Sequence, residues 1–185
     1  MVTSLPDVSE VPLPLDAWKG WFVEAAALIV SKVPPDGVAI FFQTDIKRDG
    51  VWVDKGYLVQ KAIEQQGAGL LWHKVVCRAP AGKVTFGRPA YAHLLCCAPA
   101  LRLTPGESTA DVLPDAGEMT WARAIGLNAC EAACQFILKR TTTRTVVDPF
   151  CGVGTVLAVA NRLGLDAIGV ELNRKRAEKA RQLAL

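Results

Sequence analysis

The stretch from Val146 to Leu172, VVDPFCGVGTVLAVANRLGLDAIGVEL, constrains this chain more than any other. A β-type run ends at Asp148, Gly152 and Gly154 fall in the turn after it, and a helical pattern starts near Thr155. Glycine lets the backbone turn left-handed and come close to a ligand, and the free N–H groups of the helix start face the same crevice. The next β-type run is expected to end at Glu171, nineteen residues beyond Gly152. That puts a carboxylate beside the turn, where it can accept hydrogen bonds from a ribose diol. Each hydrogen bond to a charged group is worth about 1.5–3 kcal/mol net. A dinucleotide site of the G-x-G-x-x-G type is disfavoured, because Leu157 stands where the third glycine belongs.

The rest of the chain supplies elements that fit around this unit. Residues 16–33 read as a helix with Trp18, Trp21, Phe22, Ala25, Leu28 and Ile29 on one stripe, stopped by Pro34, Pro35 and Gly37. VAIFFQTD is an almost unbroken apolar run, as a strand buried on both faces requires. A helix is expected over 53–66, then two strands, LLWHKVVCR and AYAHLLCCA, joined by the turn-rich APAGKVTFGRP. Residues 102–120 read as a connecting loop, 121–139 as a helix, and NRKRAEKARQL as the closing helix. Alternation of this kind predicts one α/β domain over 1–185, with a mostly parallel sheet covered by helices on both faces. Within it, 1–101 form a substrate half and 121–185 a cofactor half. With 51% hydrophobic residues and a mean hydropathy of +0.23, a sizeable core can form and disorder is excluded.

The wording DPFCGVGT, followed by a helix and then IGVE, resembles the cofactor motif of S-adenosylmethionine-dependent methyltransferases, specifically the amino-methyltransferases of nucleic-acid bases. The position of the motif near the C-terminus is similar to that in the circularly permuted, beta-type members. The resemblance implies a Rossmann-like fold of six strands in the order 2-1-4-5-7-6, with MVTSL as the fourth strand. S-adenosyl-L-methionine is the implied cofactor. Its implied contacts are Asp148, Pro149, Phe150, Cys151, Gly152, Gly154, Thr155 and Glu171, with Trp121 at the start of the helix before the cofactor strand.

In that family the catalytic strand end carries a polar residue, two prolines and an aromatic that stacks on the extruded base. Here the matching residues are Ser4-Leu5-Pro6-Asp7. The resemblance therefore implies Ser4, Pro6 and Asp7 as catalytic residues, with an aspartate where the aromatic belongs. Asp7 can accept a proton, orient an amine, or cap a turn before the first helix. Stacking is worth about 1–3 kcal/mol per base, and a carboxylate cannot provide it. Asp45 and Lys47, with Gln43 and Thr44, follow a strand that ends near the crevice, so a substrate role is expected for them. Trp52 is the better candidate for stacking, and His73 reads as structural.

The six cysteines lie in apolar surroundings without two convergent Cys/His pairs, so they are expected to be reduced and buried, with no metal site. Cys151 reads as small packing, not as a nucleophile. The start MVTSLPDVSE lacks the pattern of a signal peptide, and Glu24 breaks the longest apolar run. A cytoplasmic protein without a membrane partner is the expectation. A net charge of +3 permits nucleic acid without requiring it. With only residues 102–120 where DNA-modifying relatives insert a recognition region, an RNA base (transfer or ribosomal) is favoured over DNA. The alternatives are methylation of a small molecule or protein, or a non-catalytic subunit; a homodimer or partner subunit fits the apolar content.

Overall fold

In the computed structural model, which describes residues 1–185, the long apolar runs pair as a mixed sheet. The strands are β1 (Val2–Thr3), β2 (Ala39–Gln43), β3 (Ile46–Arg48), β4 (Val51–Val53), β5 (Gly69–Cys77), β6 (Tyr91–Ala98), β7 (Val112–Leu113), β8 (Thr145–Asp148) and β9 (Asp166–Gly169). The helices are α1 (Leu15–Ser31), α2 (Lys55–Gln65), α3 (Leu127–Arg140), α4 (Thr155–Arg162) and α5 (Arg174–Gln182).

Five strands hydrogen-bond in the order β1-β2-β6-β5-β7, while β8 pairs with β9 alone. The two pieces meet where β1 lies against β8 and the Thr3 hydroxyl donates to the Asp148 carboxylate. The succession β9-β8-β1-β2-β6-β5 is the expected 2-1-4-5-7-6 order, with β7 added at the far edge. The expected mostly parallel sheet is borne out in part. Only β6 is reversed, but it sits between β2 and β5, so both long ladders are antiparallel. Parallel pairing is confined to β1/β2, β5/β7 and β8/β9.

Strand β2 shows why its sequence is apolar from Ala39 to Phe42. Ala39 and Phe41 enter a cluster formed with α1 and α2, whereas Ile40 and Phe42 enter a second cluster beneath α3 and α4. Burial on two faces disfavours polar residues throughout the run. The second cluster also joins Val2 and Leu94 to Val146, Val156 and Val159, so both halves of the chain share a core. No helix is long and apolar enough to cross a membrane.

Several boundaries differ from expectation for identifiable reasons. The buried face of α1 runs through Trp18, Phe22, Ala26 and Ile29, with Val23, Ala27 and Val30 beside it, and leaves Leu28 exposed. Helix α3 begins at Leu127, six residues later than expected. The amides of Leu127, Asn128 and Ala129 donate to the carbonyls of Glu118 and Ala116, which takes the place of a further helical turn. Residues 121–126 thus stay outside the helix. The loop at 102–120 contains a 3-10 turn, Pro105–Glu107, and the edge strand β7. An unforeseen hairpin, β3–β4, turns at Asp49 and Gly50, both at positive φ. Strand β9 ends at Gly169, so Glu171 lies beyond it.

Gly126 is pressed against the Ala116 carbonyl, which is backbone and cannot swing aside. Gly126→Ala is expected to destabilise by about 1–3 kcal/mol, a fall of roughly 3–10 °C in Tm by calorimetry. An unchanged Tm would show that the α3 start is loose.

Candidate functional site

A cleft of about 830 Å³ opens where β1, β8 and β9 end. In an open α/β sheet this is where ligands bind. Ser4 and Pro6 reach it from the segment after β1. Asp148, Pro149, Phe150, Cys151 and Gly152 line it from the turn after β8, with Thr155 at the start of α4. Glu171, beyond β9, and Trp121, on the approach to α3, complete the wall. Of the residues implied for the cofactor, only Gly154 does not line the cleft.

The turn after β8 owes its shape to two glycines with different roles. Gly152 has φ +56°, and a Cβ there would lie 3.1 Å from the Trp121 ring, so the indole covers the turn. Gly154, at φ +87°, caps α4 and packs against Ala180 of α5; a Cβ would come within 2.9 Å of it. Gly154 therefore shapes the turn from behind. Phe150 meets Trp21 edge-on at 6.3 Å, and the Arg176 guanidinium sits 4.9 Å from the centre of the Trp121 ring. The Thr155 and Thr120 hydroxyls are 2.6 Å apart. Glu171 accepts from the Asn173 amide at 2.7 Å, flanked by exposed Val170 and Leu172. A carboxylate between two uncovered apolar side chains suits a ligand with a sugar and a flat ring.

Asp148 is buried at the base of the cleft. It accepts from Thr3 Oγ1 at 2.6 Å and from the Phe150 amide at 3.1 Å. Burial nevertheless dominates and pushes its carboxyl up to about 6. Burial likewise pushes the Cys151 thiol up to about 11, and its sulfur packs beside Gly169, in keeping with a packing role. All six cysteines are free, four of them buried.

Asp7 does not line the main cleft. It borders a smaller adjoining pocket, which shares Ser4, Leu5, Glu10, Arg123 and Ala124 with it. Its oxygens are taken by Lys55 Nζ at 2.8 Å and Arg88 at 3.7 Å, so the side chain neither caps a turn nor stands free. Asp45, expected to meet substrate, is committed elsewhere. It accepts from the Lys55 amide at 2.8 Å and lies 3.0 Å from His93 Nε2, whose Nδ1 is 2.9 Å from His73 Nε2. Burial raises the Asp45 carboxyl, but these hydrogen bonds outweigh it and hold the group below its ordinary value. Asp45, Asp54 and His93 bring their ligand atoms within 4.8 Å of one another, although Asp54 also caps α2. Lys47 and Trp52 face each other across the β3–β4 hairpin, 5.6 Å from ammonium to ring centre, and neither reaches the cleft. Gln43 is buried with both amide atoms unpartnered, also away from the cleft.

The cleft also contains residues that sequence reasoning missed. Trp21, expected in the core, lines the cleft, one position off the buried stripe. Glu10 pairs with Arg123 at 2.7 Å and with Arg176 at 3.4 Å, tying the segment after β1 to the α3 approach and to α5. These partners are more than a hundred residues apart, and no local pattern signals them.

Residues 131–182 match the family model described as DNA methylase. No curated protein matches the chain by sequence. Among solved structures, a protein of Thermus thermophilus, named as a DNA modification methylase and complexed with S-adenosyl-L-methionine, is similar at 18% identity and a TM-score of 0.73. That match covers 98% of this chain and 82% of the other. The cytosine-N4-specific PvuII DNA methyltransferase is similar at 15% identity and a TM-score of 0.72, covering 97% of this chain and 77% of the other. The M1.HpyAVI–SAM complex is similar at 16% identity and a TM-score of 0.62, covering 98% and 85%. The likeness to these structures is one of fold, and with the family match it bears out the resemblance to beta-type amino-methyltransferases.

The raised Asp148 carboxyl has a stability consequence with a defined sign. The folded state holds this proton more tightly than the unfolded chain, so the contribution is full below about pH 4 and lost as pH rises through about 6. Asp148→Asn is therefore expected to gain stability relative to the parent between about pH 4 and pH 7, by up to about 3 kcal/mol. Denaturant titrations across that range check this; a difference that stays flat with pH would refute it.

Proposed function

We propose that this chain, built on the fold of the DNA methylases, is an S-adenosylmethionine-dependent methyltransferase that modifies an amine or ring nitrogen of a nucleic-acid base. The observation that carries the reading is the single cleft in which the glycine turn after β8, Trp121 and Glu171 meet Ser4 and Pro6. DNA is preferred to the RNA expected from the short connecting loop, because the matching family model and the similar structures are those of DNA methylases.

The residues present suit the cofactor. Glu171 would hold the ribose hydroxyls, Val170 and Leu172 would lose their exposed apolar surface against the adenine, and Trp121 with Phe150 would enclose the methionine end. When bound, S-adenosylmethionine supplies an activated methyl group on a positively charged sulfur. Ser4 stands at the border of the cleft and the smaller pocket and Pro6 lines the cleft beside it, where a hydroxyl and a backbone carbonyl would accept hydrogen bonds from the target amine and orient its nitrogen. Asp7 would hold the wall of that pocket through Lys55 and Arg88, not remove the proton.

Calorimetric titration with S-adenosylmethionine should show one site per chain, weakened at least about tenfold by Glu171→Ala. Because the ligand is cationic, ionised Asp148 favours it, so affinity should rise from about pH 5 to pH 7 in the parent and stay level in Asp148→Asn. Labelled cofactor should transfer its methyl group to DNA. Transfer to RNA alone would overturn the choice of DNA, and absence of cofactor binding would overturn the enzyme itself.

A further inference from the structure

The pocket beside Ser4 is lined by four cations, Lys55, Arg78, Arg88 and Arg123, against two carboxylates, Asp7 and Glu10. The carboxylates are already engaged: Asp7 by Lys55 and Arg88, Glu10 by Arg123 and Arg176. Arg78 makes no ion pair or side-chain hydrogen bond, although it is half-buried, and burial with the neighbouring Arg88 lowers its affinity for its proton. A wall with surplus positive charge, one of its cations partly desolvated and unpaired, is suited to an anion.

Arg78 and Arg88 stand at the two ends of the connection between β5 and β6. That connection carries Lys83 and ends in a turn held by the Thr85 hydroxyl on the Arg88 carbonyl, at 2.8 Å. Phe86, two residues from Arg88, is 94% exposed, and Val84 is 75% exposed. An uncovered aromatic among basic residues is the combination that grips single-stranded nucleic acid, with phosphates on cations and a base on the ring.

We propose that the β5–β6 hairpin clamps one polynucleotide strand beside the acceptor pocket, with Arg78 and Arg88 on successive phosphates and Phe86 stacked on a neighbouring base. This rests on the nucleic-acid reading above and gives the chain a recognition element in place of an inserted region.

The test is the binding of a fluorescent single-stranded DNA oligonucleotide to the full chain, without cofactor, across a series of salt concentrations. Arg78→Gln and Arg88→Gln should each weaken binding and lower the slope of log affinity against log salt by about 0.7. Arg78→Lys, which keeps the charge, should restore the slope. Phe86→Ala should weaken binding by about tenfold at an unchanged slope. Thermal melts and S-adenosylmethionine titrations of the Arg78 and Phe86 variants should match the parent, since neither side chain lines the cofactor cleft or makes an ion pair. If the parent binds the oligonucleotide and the variants bind it with the same affinity and slope, the clamp is wrong while the methyltransferase reading stands. If the parent binds cofactor but no oligonucleotide of DNA or RNA, the nucleic-acid reading falls and the clamp with it.

Discussion

The hydrogen bond from Thr3 to Asp148 joins the first strand of the chain to the strand that precedes the glycine turn. No ladder of backbone hydrogen bonds links these two strands, so side chains and shared core hold them together. On one side of this seam lies the glycine turn, and on the other lie Ser4 and Pro6. The cleft exists because the seam brings them to the same end of the sheet. Burying Asp148 there is costly, and its carboxyl is pushed up to about 6 despite two hydrogen bonds. A destabilised charge at the base of a cleft is a common mark of a site shaped for a ligand and not for stability alone.

The smaller pocket is built differently from the main cleft. Apolar and aromatic side chains dominate around Phe150, Trp21 and Trp121, whereas the pocket past Ser4 is framed by ion pairs. Lys55 is almost wholly buried, and its pairing with Asp7 offsets part of the penalty of that burial. Its backbone amide is fixed in turn by Asp45, which His93 and His73 back up. Asp7 thus sits at the end of a chain of polar contacts that begins at exposed His73 on β5 and runs through buried His93, Asp45 and Lys55. Removing Asp7 would leave the buried Lys55 ammonium without its carboxylate, which costs far more than a surface ion pair contributes.

The legible parts of the site were those governed by local chemistry. The strand, the positive-φ glycines and the helix start from Asp148 to Thr155 follow from turn stereochemistry and periodicity, both readable over a few residues. The strand order followed from the resemblance. Positions that depend on distant partners were not legible: Asp45 and Asp7 are polar residues near strand ends, and only the fold reveals that Lys55, His93 and Arg88 have already engaged them. Helix α3 starts late for a related reason, since the carbonyls of Ala116 and Glu118 satisfy its first amides. The β3–β4 hairpin is a different case. Asp49-Gly50 between alternating residues is a turn signal in its own right, and the hairpin it makes keeps Lys47 and Trp52 out of the crevice.

The two ends of the site also share a mechanical link. Glu10 lines both spaces and binds Arg123 and Arg176, while Arg176 covers the Trp121 ring that lies over Gly152. The segment after β1 therefore cannot shift without disturbing the residues that enclose the glycine turn. Ser4 and Pro6 belong to that same segment, so their placement is set partly from the side of the glycine turn. A ligand that orders Trp121 and Arg176 would also order Glu10 and, through it, the approach to the smaller pocket. Coupling of this kind needs no large motion, only a shared set of ion pairs whose alternatives are solvent-exposed and individually weak.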